Sequence, residues 1–262
     1  MQEIISVSGY EAVIFIEDKL MLKNPLPDRI QAIDFIKGID IILMVLFNYS
    51  ITLDYFELIK IPSGYLYHSL LPISIASVFI FMSGVTACIS YKKHREKSTR
   101  RYFMRGMKLL FFAFLITLFT YVFVRPNTIF FGILHFFAVT SFLLPIFIKY
   151  HKLNLIAGLS IILSGIYLQQ QTFNSPYLLW VGFVPENFST FDYFPLIPWL
   201  GVILLGIYYS DYIVKKTADI TFCNGFSKKV TFLGKHSLFV YLIHQPLLIM
   251  LLIASGFKLF FS

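Results

Sequence analysis

From residue 35 onward, long apolar runs alternate with short polar breaks, and several runs exceed what a buried helix of a soluble core needs. A membrane-crossing helix takes ~20 mostly apolar residues. On that measure seven segments read as spans, near 35–51, 69–91, 106–124, 128–148, 153–170, 195–213 and 236–261. Leu70 to Ser90 holds no charged side chain, and the run from Leu153 to Leu168 is short. Residues 171–194, with Pro176, Trp180, Pro185 and Glu186, read instead as an interfacial loop whose Trp and Tyr suit the headgroup level. The pattern predicts an all-α, polytopic transmembrane helix bundle of about seven spans.

Composition strengthens that reading. Hydrophobic residues make up 57% of the 262 positions and charged ones only 14%, where a soluble domain carries about a quarter charged. The basic residues then set an orientation. With the N-terminus in the cytoplasm, 19 of the 22 Lys and Arg fall on inner segments, and only Lys60, Arg125 and Lys258 fall outside. The net charge of +8 is therefore basicity facing the inner leaflet and implies no nucleic acid partner.

Residues 1–28 read as a cytoplasmic tail and 29–262 as the transmembrane domain. Glu3, Glu11, Glu17 and Asp18 deny the tail the clean apolar core of a signal peptide. Within it, "EAVIFIEDKLML" predicts a short amphipathic element on the inner surface. Cys88 and Cys223 fall on the cytoplasmic side, where a disulfide is not expected, and no metal-ligand spacing involves them.

The first span, "RIQAIDFIKGIDIILMVLFNYS", carries polar residues that hydrocarbon would penalise. At ~100° per residue, Asp34, Lys37 and Asn48 share an arc of about 60°. Lys37 and Asn48 stand eleven residues apart, hence nearly eclipsed and ~16 Å apart along the axis. Asp40 lies about another 60° round, placed to pair with Lys37 at i, i+3. Such a stripe must face other helices or water. On its own it reads as polar glue between helices, worth ~0.6 kcal/mol per group.

Histidines shift the balance toward a functional cavity. His94 and His151 lie in basic loops, and His236, in "GKHSL", reads as the entry turn of the last span. His68 sits at the outer end of the second span. His135 is expected about two turns below the outer surface, if its helix starts near Thr128, and His244 about two turns above the inner one. Pro246 cannot donate a backbone hydrogen bond, which opens a polar gap beside His244 and Gln245. In "STFDYFPLIPWLG", Ser189 and Asp192 resemble a capping box for the sixth span. The alternative role for Asp192 is a carboxylate at the mouth of a cavity.

"RIQAIDFIKGIDIILMVLFNYS", "FIFMSGVTACIS", "RGMKLLFF", "FGILHFFAVTS", "DYFPLIPWLGVILLGI" and "LGKHSLFVYLIHQPLL" occur in that order. The ordered set, over roughly residues 29 to 255, resembles the heparan-alpha-glucosaminide N-acetyltransferase catalytic family, part of a wider group of transmembrane acyltransferases. The resemblance implies an enzyme that moves an acetyl group from cytosolic acetyl-CoA to an amino-sugar or glycan acceptor on the outer face. It implies Lys37, Arg101, Arg105 and Lys108 as cations for the CoA phosphates, with His244 also on the cofactor side. The family's Arg-Gly pair is Lys37-Gly38 here, which keeps the charge and loses the bidentate fork. It further implies a catalytic pair of Asn48 and a His in the following loop. His68 is the only His there, so it matches by location and not by spacing.

In the chemistry so implied, His68 takes a proton from the acceptor and Asn48 donates to the tetrahedral oxyanion. His135 orients the acyl arm and Asp192 holds the amine. Direct transfer and a covalent acetyl-His intermediate both remain open. No metal is expected. The other expected partners are the lipid bilayer and a second copy of the chain, in a prokaryotic plasma membrane. A transporter or channel with a buried polar pathway, or an inactive protein of the same fold, would be the competing classes. Matched Gly/Pro-broken helices in two halves would favour transport, and Pro246 has no such counterpart.

Overall fold

The structure is a computed structural model that describes residues 29–94, 97–123, 125–171, 173, 176–186 and 188–254. The tail and its amphipathic stretch lie outside the described residues, as does the end of the seventh span beyond residue 254. Among the described residues eight α-helices follow one another: α1 (Gln31–Tyr55), α2 (Leu71–Lys93), α3 (Ser98–Phe123), α4 (Ile133–Lys149), α5 (Leu153–Leu168), α6 (Leu196–Thr217), α7 (Gly225–Lys235) and α8 (Ser237–Ala254). A π-helical turn, Leu66–Leu70, leads into α2. Each of the seven expected spans falls on a helix.

Among the described residues four helices are long and apolar enough to cross a membrane: α1, α2 with its leading turn, α3 and α6. The pair α7–α8, bent by 86°, makes a fifth if it counts as one span. At 17 and 16 residues, α4 and α5 are apolar but short, below the ~20 that a perpendicular crossing takes. Large apolar side chains point outward from the long helices, among them Phe111, Phe114, Leu118 and Phe119 on α3 and Leu43 and Leu46 on α1. In water they would form a liability, and in lipid they are the ordinary exterior.

Glycine sets how closely the helices approach. Between α2 and α6, a Cβ on Gly84 would stand 2.2 Å from the carbonyl oxygen of Ile203, and one on Gly206 2.1 Å from that of Phe81. Gly158 and Gly201 face each other in the same way between α5 and α6. Lipid supplies no hydrophobic force between helices, so close backbone packing at small residues does that work. The interior is then filled by Phe79, Phe136, Phe137, Ile203, Leu204 and Ile207.

One element was not expected. Residues 214–235 fall between the sixth and seventh expected spans, yet Gly225–Lys235 form α7, which packs across the first turns of α1. Gly38 admits the Val230 carbonyl, and Gly234 lies against the Asp34 carbonyl, where a Cβ would come within 1.7 Å. Phe222, just before α7, stacks on Phe35 with ring centroids 4.5 Å apart. At one end of the bundle Asp211 joins three segments: Lys92 of α2 reaches it at 2.6 Å, and His151, in the α4–α5 turn, at 3.6 Å.

Candidate functional site

Packing turns the stripe on α1 inward. Asp34, Gly38, Asp40 and Ile41 are buried, Lys37 and Asn48 half-buried, and Ile36, Ile39, Leu43 and Leu46 exposed. The expected Asp40–Lys37 ion pair is absent from the described residues, and Oδ2 of Asp40 is buried without a hydrogen-bond partner. Asp34 instead takes Arg29 as its partner, at 3.5 Å. Arg105 of α3 lies close enough to Lys37 for its charge to act on it. Arg101 and Lys108 follow on the same exposed face of α3, at i−4 and i+3 from Arg105.

At the other end of α1, Nδ2 of Asn48 donates to the Met44 carbonyl at 3.0 Å. That uses one of its two amide hydrogens and leaves the other free to donate. Tyr67 brackets the residue: its ring contacts Phe47 at 5.5 Å, and its hydroxyl bonds the Ser50 hydroxyl. His68 follows Tyr67 in the π-turn, exposed, its ring edge-on to the Tyr67 ring at 5.5 Å. Tyr67, a residue the sequence did not single out, thus packs the turn that carries His68 against Phe47 and Ser50, on either side of Asn48 in the chain.

His135 and Asp192 form a second group. His135 lies in the first turn of α4, because that helix starts at Ile133 and not near Thr128; it is not two turns deep. The Gly132 N–H donates to its Nδ1 at 3.3 Å. Thr117 donates its hydroxyl to the Ile129 carbonyl at 2.7 Å, so at 3.1 Å it accepts from Nε2–H of His135. Both ring nitrogens are engaged, and the ring is the neutral Nε2–H tautomer.

Asp192 does not cap the sixth span. Helix α6 starts at Leu196 behind Pro195 with no side-chain cap, and Ser189 bonds Asn127 at 2.5 Å. Asp192 caps α4 instead, where Oδ2 accepts the Ile133 N–H at 3.0 Å and the Tyr241 hydroxyl at 3.2 Å. Burial pushes its carboxyl up to about 6, and those two donors pull it back down. Tyr193, which donates to the Leu179 carbonyl at 2.8 Å, is pushed up to about 12 by burial.

His244 stands elsewhere than expected. Its carbonyl accepts the Tyr49 hydroxyl at 3.1 Å. Tyr49 lies eighteen residues from the start of α1, ~27 Å along the helix, so His244 is level with the Asn48 end and not the Lys37 end. The ring is buried. Its Nδ1 lies 2.6 Å from the Tyr241 carbonyl and must donate, since a carbonyl only accepts. Nε2 then carries the lone pair, buried and without a partner. Such an unsatisfied group costs about 1–3 kcal/mol.

Among the described residues, no group of three or more His, Cys, Asp or Glu could hold a metal ion. Residues 29–246, well over half the chain, match the family model described as "Heparan-alpha-glucosaminide N-acetyltransferase, catalytic". No curated protein and no solved structure matches the chain.

Proposed function

The chain belongs to the heparan-alpha-glucosaminide N-acetyltransferase catalytic family, a family of membrane acetyltransferases, and from that premise we propose that it transfers acetyl from cytosolic acetyl-CoA to an amino sugar or glycan on the opposite face. In this reading the Lys37 end of α1 faces the cytoplasm and the Asn48 end faces the acceptor. CoA is too large and too charged to cross, so its phosphates rest on Lys37, Arg101, Arg105 and Lys108 while the acyl arm reaches inward. His244 stands at the level of the reacting carbonyl, away from the phosphates that anchor the donor.

One observation carries the reading. A single helix presents half-buried Lys37 at one level and half-buried Asn48 ~16 Å further on, where the turn holding Tyr67 and His68 packs on Phe47 and Ser50. That span suits a thioester arm anchored by its phosphates at one end and reacting at the other. Asn48 spends its free amide hydrogen on the oxyanion, a contact typically worth ~2.7–4 kcal/mol in the transition state. His68, exposed at the rim, takes a proton from the incoming ammonium. Asp192 attracts that ammonium once ionised, and His135, with both nitrogens bonded, positions the start of α4 against it.

The protein is proposed to act as an integral protein of a prokaryotic plasma membrane, with a second copy of itself as a candidate partner. Thermal unfolding of the purified protein tests donor binding directly: acetyl-CoA should raise the melting temperature and desulfo or truncated donors should raise it less. With glucosamine as probe acceptor, CoA release should fall ~10²-fold or more in Asn48→Ala and in His68→Ala at neutral pH. Unchanged rates in both would remove the assigned pair.

A further inference from the structure

The buried face of α8 presents a basic nitrogen with nothing to bind. His244 is 5% exposed, and its Nδ1–H is committed to the Tyr241 carbonyl 2.6 Å away. Nε2 is left as an unpartnered lone pair in the bundle interior. Its neighbours hold it in place. The Tyr49 ring of α1 lies parallel at 6.5 Å, the Tyr241 ring of its own helix at 5.4 Å, and the Tyr49 hydroxyl binds the His244 carbonyl. Tyr241 in turn donates to Asp192. A histidine kept only for packing satisfies both nitrogens, as His135 does with Gly132 and Thr117. One with a fixed N–H and a bare, preset acceptor has the arrangement of a general base, in which the first bond selects the tautomer that leaves the second nitrogen basic.

We infer that His244 is a second proton acceptor of the transfer, acting on the nitrogen after it has attacked; this rests on the acetyl-transfer reading above. An ammonium acceptor must lose two protons, which explains a use for two histidines at different depths. His68 at the rim takes the first and leaves a neutral amine. The amine nitrogen adds to the thioester carbon, the C–N bond forms, and the carbonyl electron pair moves to oxygen. The nitrogen is then cationic and passes its second proton to Nε2 of His244. The tetrahedral species collapses, the C–S bond breaks, and the imidazolium returns that proton to sulfur. The products are the N-acetyl group and CoA thiol, and the ring is again neutral.

Two variants separate this role from packing. His244→Asn keeps an N–H for the Tyr241 carbonyl and supplies no basic nitrogen; His244→Gln keeps a polar group where Nε2 stands. In purified full-length protein, with acetyl-CoA and glucosamine as probes, either should lose ~10²–10⁴-fold in turnover. The melting-temperature gain from acetyl-CoA should persist in both. Raising the pH above the acceptor amine's own pKa should rescue His68→Gln, whose proton solvent now removes, and should not rescue the His244 variants. Turnover within about threefold of wild type in a folded variant would overturn the assignment, given what general-base losses amount to. So would loss of the acetyl-CoA stabilisation, which would make His244 a binding group, or rescue of the variants at high pH. A wild-type protein that acetyl-CoA neither stabilises nor donates through would remove the acetyl-transfer reading itself, and this inference with it.

Discussion

Asp192 touches three elements at once, holding the first N–H of α4 and the Tyr241 hydroxyl of α8 from the segment that leads into α6. Its charge is thereby coupled to stability. Burial raises its folded-state value from 3.8 to about 6, so the folded chain binds that proton more readily than the unfolded one. Stability then falls as pH rises from near 4 through about 6, and levels off above. Wild-type protein should therefore melt higher at about pH 5 than at about pH 7.5, and Asp192→Asn should remove that part of the slope. Equal slopes in the two proteins would place the pH sensitivity elsewhere. The residue types of this region were legible in the sequence, because a charge in an apolar run stands out. Their partners were not. Tyr49, Thr117 and Tyr241 are ordinary in an aromatic-rich chain, and only the packing of helices selects them as the groups that hold His135, Asp192 and His244.

At the scale of the element, apolar run length was a sufficient guide to the seven helices it predicted, since a segment in lipid must satisfy its backbone within itself. It failed for α7, which spans eleven residues and holds three lysines. Phe226, Val230 and Leu233 stand at i, i+4 and i+7, a short amphipathic stripe that a measure of unbroken apolar length passes over. What makes it a docked helix is steric: Gly38 and Gly234 let two backbones touch. The sequence shows the glycines but cannot say that they meet. Gly234→Ala should consequently destabilise the protein by ~1–3 kcal/mol or more, as overpacking does, because the added Cβ would strike a backbone carbonyl that cannot move aside. At Gly225, where an added Cβ meets nothing within 4 Å, the same substitution should be near neutral. Thermal unfolding of the pair checks the contrast, and comparable losses at both would mean that α7 is weakened by helix-start chemistry and not by its contact with α1.

For the whole molecule, the partition of charge and the packing of helix ends bear on the same question of sidedness. Asp211 draws together the end of α2, the end of α6 and the α4–α5 turn, three places that the basic residues assign to one face. Lys93, Lys149, Lys152, Lys215 and Lys216 cluster in the same segments. On the opposite face, Lys60 and Arg125 are the only basic residues among those described. The reaction proposed above needs this asymmetry, because donor and acceptor never share a compartment. The two cysteines report on it without any engineering. Cys223 is exposed, in the connection between α6 and α7, and Cys88 is buried in α2. If the basic face is cytoplasmic, a membrane-impermeant maleimide added to intact cells should leave Cys223 unlabelled, and permeabilisation should expose it. A Lys60→Cys variant should gain a label on intact cells. Labelling of Cys223 from outside would reverse the molecule in its membrane, and with it the side from which the donor must enter, whatever the geometry between Lys37 and Asn48.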